Sequence, residues 1–97
     1  MTSVAQLTIE YLDASERLAL AMTFTAYRDH LEEHGAAIDE TVKARRWLVD
    51  GHYLAWIEGD KFALSGKGME LLRQYRERQP DGYFERLFER IQRGIDV

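Results

Sequence analysis

Apolar and polar positions alternate along this chain with two different periods, and the change of period marks its elements. Residues 3–12 are ambiguous, because Leu7, Ile9 and Tyr11 alternate as a strand would, while Ser3 with Gln6 three residues on reads as a capping box. The cap favours a short helix. Asp13 and Glu16 form a second box, which predicts a helix from there to about His34, with Gly35 as its C-terminal stop. Leu20, Phe24, Tyr27 and Leu31 follow at i, i+4, i+7 and i+11, a helical stripe facing a core or a partner. A shorter helix is predicted over 39–49, with Asp39 and Glu40 in its first turn, where the helix dipole favours negative charge. Ala44 and Leu48 give it one apolar side. Asp50-Gly51 ends it as a turn.

The period then drops to two. His52 to Ile57 and Lys61 to Leu64 are short runs rich in aromatic and aliphatic residues, joined by Glu58-Gly59-Asp60, and they read as a β-hairpin. Gly59 supplies the positive φ that a tight hairpin turn needs. Ser65 is placed to cap a helix over about 66–78. Pro80-Asp81-Gly82 breaks it. The last helix, about 82–93, carries Phe84, Leu87, Phe88 and Ile91, with Ile95 beyond, in a strong amphipathic stripe. The expected class is mostly helical α+β, one domain over 1–97. Its parts are N-terminal helices in 1–34, a short helix, hairpin and helix in 35–78, and an amphipathic C-terminal helix in 79–97.

Within that order, residues 48–72 carry a phrase. Leu48, Gly51, Tyr53 and Leu54, with His52 inserted, are followed by Phe62-Ala63-Leu64-Ser65-Gly66-Lys67-Gly68. This resembles the winged helix-turn-helix family, in which the recognition helix leads into the wing through Leu-x-x-x-Gly-Tyr-Leu/Ile. There the second wing strand ends in Tyr/Phe-x-Leu-Thr-x-x-Gly, and Ser65 stands here for the threonine. The resemblance implies a winged-helix core, double-stranded DNA as partner and a role in transcription regulation. It places Thr41, Lys43, Arg45 and Arg46 on the recognition helix and Lys61 on the wing. Arginine can bond guanine bidentately, and lysine can neutralise phosphate. The family has a distinct second helix before the recognition helix. Here either the segment 14–34 breaks in two, near Thr23 or Thr25, or that helix is missing.

Composition changes this picture in one respect. The chain has 97 residues, 45% apolar and 31% charged, which suits one soluble domain and excludes a disordered tail. Its net charge is −4, whereas a nucleic-acid binder usually shows a basic footprint. Only the middle of the chain, residues 35–76, carries a slight positive excess. The acidic total keeps a second reading open, a protein-protein interaction module on the same scaffold, of the kind of a small phage-type inhibitor or adaptor. The long terminal stripes also exceed what one small core needs. They favour a homodimer through Phe84, Leu87, Phe88 and Ile91, the alternative being that these residues complete the monomer core.

Other chemistry is thin. With no cysteine, disulfides, thiol catalysis and thiolate metal sites are excluded, and a cytoplasmic location is the simple expectation. No apolar run approaches a membrane span, and no signal-peptide core follows Met1. His30-Leu31-Glu32-Glu33-His34 spells the inverted zinc-protease motif, but a third protein ligand is lacking and histidines suit a helix C-terminus on their own account. Gly66-Lys67-Gly68 lacks the spacing of a phosphate loop. Trp47 and Trp56 could stack on bases, though core or interface packing is the commoner use. No metal, cofactor or catalytic residue is expected, and no enzyme.

Overall fold

The structure, a computed structural model, describes residues 3–93, apart from the side chains of Ile91 and Gln92. In chain order the elements are α1 (Val4–Arg17), β1 (Met22–Thr23), α2 (Phe24–Glu33), α3 (Ile38–Asp50), β2 (Leu54–Glu58), β3 (Lys61–Leu64), α4 (Gly66–Arg76) and α5 (Tyr83–Gln92). The fold is α+β and mostly helical, as the two periodicities predict. The strands form an antiparallel sheet in the order β1-β3-β2. β1 pairs Met22 with Phe62 and Thr23 with Lys61, and the hairpin pairs Leu54 with Leu64 and Trp56 with Phe62 before a bulge near its turn.

α1 is the centre of the molecule, packing against α2, α3, α4 and α5. Leu7, Ile9 and Leu12 are fully enclosed by those neighbours. Burial of side chains at both odd and even positions settles the ambiguity of residues 3–12 in favour of a helix buried on a broad face. Ser3 caps it, its hydroxyl accepting from the Gln6 N–H at 3.1 Å. One buried polar pair ties α1 to α2. The Thr8 hydroxyl donates to the Val4 carbonyl at 2.8 Å, so in its 2.8 Å bond with Tyr27 it is the acceptor and the phenol is the donor.

The helix expected from Asp13 to His34 is corrected. α1 runs on to Arg17, and Asp13 is not a cap but a mid-helix carboxylate. It pairs with Arg17 at 3.1 Å and with Arg76 of α4 at 2.8 Å. The chain then stops at Ala19, whose φ is +53°. The Ala19 N–H bonds Glu16 and the Leu20 N–H bonds Ser15, a Schellman closure in which glycine is the usual residue. Leu20, assigned by periodicity to the helical stripe, is exposed beyond that stop. The break falls near Thr23, which ends β1 and caps α2, its side chain accepting from the Ala26 N–H at 3.0 Å. Residues 14–34 therefore supply two helices with a strand between them.

The join from α3 to the hairpin uses the same closure. His52 sits at φ +59°, the His52 N–H bonds Val49, and the Tyr53 N–H bonds Leu48. The inserted histidine thus takes the left-handed position. Gly51 is needed for another reason: a Cβ there would collide with the Tyr53 ring and lie 2.8 Å from the Trp47 carbonyl oxygen. Ser65 then locks hairpin to α4. Its hydroxyl accepts from the Gly68 N–H at 3.1 Å and donates to the His52 carbonyl at 2.6 Å.

α5 closes the core. Phe88 is 0% exposed and Phe84 6% exposed within this single chain. Trp47 of α3 stacks flat on Phe88 at 4.8 Å between centroids. The assignment of Phe84 and Phe88 to an interface with a second copy is therefore corrected, because their apolar surface is already consumed by the monomer. Leu87 is partly buried against the same core. The Ile91 side chain lies outside the described residues.

Candidate nucleic-acid interface

α2 and α3 are joined by four residues, 34–37, around Gly35 at φ +94°. Gly35 and Ala36 close α2 through N–H bonds to Glu32 and Leu31. α3 then starts without a side-chain cap, but the Glu40 carboxylate reaches back to accept from the Ala37 N–H at 3.1 Å. The side of α3 that faces inward is Thr41, Ala44 and Leu48. At 100° per residue the opposite side carries Asp39, Arg46 and Asp50, and one flank carries Ile38, Val42, Arg45 and Val49.

The five residues proposed by sequence do not form one patch. Thr41 is 4% exposed, and its hydroxyl donates to the Ile38 carbonyl at 2.7 Å. It is corrected from a surface contact to a core residue, because a small β-branched side chain can satisfy its own hydroxyl on the helix backbone and pack inward. Lys43 is exposed but lines a groove with Glu40, Trp47, Glu85 and Glu89, on the side of α3 turned to α5. Arg45 is exposed, yet its guanidinium lies 4.2 Å from the centroid of the Phe24 ring. Such a contact is worth about 0.5–1 kcal/mol at an exposed site. Arg46 is exposed, and among the described residues no ion pair engages it. Lys61 is exposed at the start of β3, opposite Thr23 and Glu58.

Two residues that the sequence reading put in an apolar stripe and a hairpin turn, not in the interface, organise this surface. Phe24 stacks on Phe62 at 4.7 Å, so Arg45, Phe24 and Phe62 form a run from α3 to the hairpin, where Trp56 is the cross-strand partner of Phe62. Asp60, at the hairpin turn, holds the start of α2 with two groups. Its carbonyl accepts from the Phe24 N–H at 3.0 Å and its carboxylate from the Thr25 N–H at 2.9 Å. Hydrogen bonds from Thr25, helped by Arg45 and Arg28 nearby, hold the Asp60 carboxyl below its ordinary pKa. The Gly-Asp pair could be read as a turn, but nothing local announced its partner 35 residues earlier.

Elsewhere, His30 and His34 lie on one face of α2 as their spacing requires, with rings 4.6 Å apart. The His34 Nδ1–H donates to the His30 carbonyl at 2.8 Å, and the His30 ring packs edge-on against Tyr11. Desolvation, and secondly the neighbouring His34, lower the pKa of His30, which favours the neutral ring. Among the described residues no group of three or more His, Asp or Glu is placed to hold a metal ion, and no helix is long and apolar enough to cross a membrane. No protein-family model, curated protein or solved structure matches the chain.

Proposed function

We propose that the chain is a winged-helix DNA-binding protein of the transcription-regulator kind, with α3 as the reading helix and the β2–β3 hairpin as the wing. The observation that carries the reading is the pair α2 and α3. Two helices joined by a four-residue turn containing glycine match the connection of a helix-turn-helix, in which the second helix enters the major groove. α2, a separate helix over Phe24–Glu33, supports this reading by standing where the family has its second helix. The outer side of α3 is open to solvent, and Arg46 stands at its middle. Lys61 at the start of β3 is exposed, which a phosphate contact from the wing requires.

Within this reading the roles narrow. Arg46 reads a base edge, and Lys61 neutralises phosphate. Arg45 stiffens the α3–α2–hairpin unit through Phe24 and reaches DNA only by leaving that ring. Thr41 supports α3 from inside. The test is binding to duplex DNA by the parent, by Arg46→Ala and by Lys61→Ala, with circular dichroism confirming the fold of each. Both exposed substitutions are expected to weaken binding and leave the fold unchanged.

A second reading has its own observation. Asp39 and Asp50 flank Arg46, Asp60 sits at the wing tip, and Ile38, Val42 and Val49 are exposed beside them. An acidic, partly apolar surface also suits a protein partner on the same scaffold. Failure of the parent to bind DNA at low salt, where phosphate contacts are strongest, decides for this reading.

A further inference from the structure

The exposed face of α3 is unusual in what it offers. Ile38 is 72% exposed, Val42 56% and Val49 48%. With Arg45 they recur at i, i+4, i+7 and i+11, so they lie along one flank of the helix, adjacent to Arg46. From Ile38 to Val49 the stripe runs about 16 Å at 1.5 Å per residue, the rise of roughly five base pairs. Among the described residues nothing covers it.

The major groove presents one apolar group, the C5-methyl of thymine; every other distinguishing feature is a hydrogen-bond donor or acceptor. From the reading of α3 as a recognition helix, on which this step rests, we infer that the protein selects thymine-rich sites, with Ile38, Val42 and Val49 packing on thymine methyls around one guanine read by Arg46. The occupant is duplex DNA because Arg46, on the outer side of α3 next to the stripe, is exposed and among the described residues is in no ion pair, and its guanidinium is complementary to the guanine acceptors. Asp39 and Asp50, on the same outer side as Arg46 and toward the two ends of α3, suit the amino donors of cytosine and disfavour phosphate. Specificity therefore comes from the base edges more than from the backbone, and affinity for arbitrary sequence is weak.

The experiment is selection of bound sites from a randomised duplex pool, followed by replacement of single thymines by deoxyuridine, which removes only the methyl group. The expected site has thymine at two or more positions close to a guanine. Each replacement at those positions weakens binding about fourfold, the equivalent of one buried methyl group. Val42→Ser, at an exposed position, removes the sensitivity at one of them, and Arg46→Ala removes the preference for guanine. Selected sites without thymine, or indifference to deoxyuridine, would overturn the inference while leaving DNA binding in place. Binding with no sequence enrichment would overturn it too. No binding to any pool member at low salt would instead remove the DNA reading itself and assign the stripe to a protein partner.

Discussion

The carboxylate of Asp60 accepts a hydrogen bond from the backbone N–H of Thr25 at 2.9 Å, so the tip of the hairpin caps the first turn of a helix 35 positions earlier in the chain. A carboxylate at that place also meets the positive end of the α2 dipole. The hairpin is thereby pinned to α2 at its far end, while Ser65 pins it at its base.

Asp60→Ala should loosen the hairpin without unfolding the domain. Amide hydrogen exchange at Thr25 and along 58–62 is the measurement, with faster exchange expected there and unchanged protection in α1. Because the Asp60 pKa lies below its ordinary 3.8 in the folded chain, its contribution is fully present above that value. It is lost as pH falls through the folded pKa, and the variant should lack this acid-side step.

The Thr8–Tyr27 pair is buried on both sides. Thr8→Val keeps the shape and leaves the Tyr27 phenol without its acceptor, at a cost of about 1–3 kcal/mol. Tyr27→Phe in that background should restore much of the loss. Urea denaturation of the two single variants and the double variant gives the coupling, and strict additivity would contradict the pairing.

Ala19 holds a left-handed conformation that glycine adopts without strain. Ala19→Gly should stabilise the domain by about 0.5–1 kcal/mol, which thermal melting resolves as a rise of a few degrees. Gly68→Ala should do the reverse and cost about 2 kcal/mol or more, since a Cβ there collides with the Tyr53 carbonyl oxygen.

His30 is held neutral more strongly in the folded chain than in the unfolded one. The unfolded state therefore binds the proton first, and stability falls as pH drops below about 6.5, the ordinary value. His30→Gln should flatten the denaturation midpoint between pH 7 and pH 5 relative to the parent.

Much of this fold was legible where local chemistry and burial agree. The hairpin, its Gly59 turn, the Ser65 cap and the break at Pro80 need only neighbouring residues, and each stands where the pattern puts it. The end of α1 was hidden because the signal for a helix stop is glycine, and Ala19 occupies that position instead. Asp13 and Glu16 imitated a cap because a box is a spacing, and the same spacing serves Asp13 as a partner for Arg17 and Arg76. The fate of α5 depended on how much surface α1 and α3 leave open for Phe84 and Phe88, a property of the assembled core that no periodicity carries. The candidate interface was legible as a set of residue types on α3. Its division into the buried Thr41, the stacked Arg45 and the free Arg46 depends on Phe24 and on the rotation of the helix.

Under the proposed function the outer face of α3 contacts duplex DNA. The most direct measurement is a fluorescence-polarisation titration of the parent and of Arg46→Ala against a mixed-sequence duplex, at low and at near-physiological salt. Measurable binding at low salt that weakens as salt rises is expected, with weaker binding by the variant at every salt concentration. Equal affinities for parent and variant, or no binding by the parent at low salt, would contradict this reading.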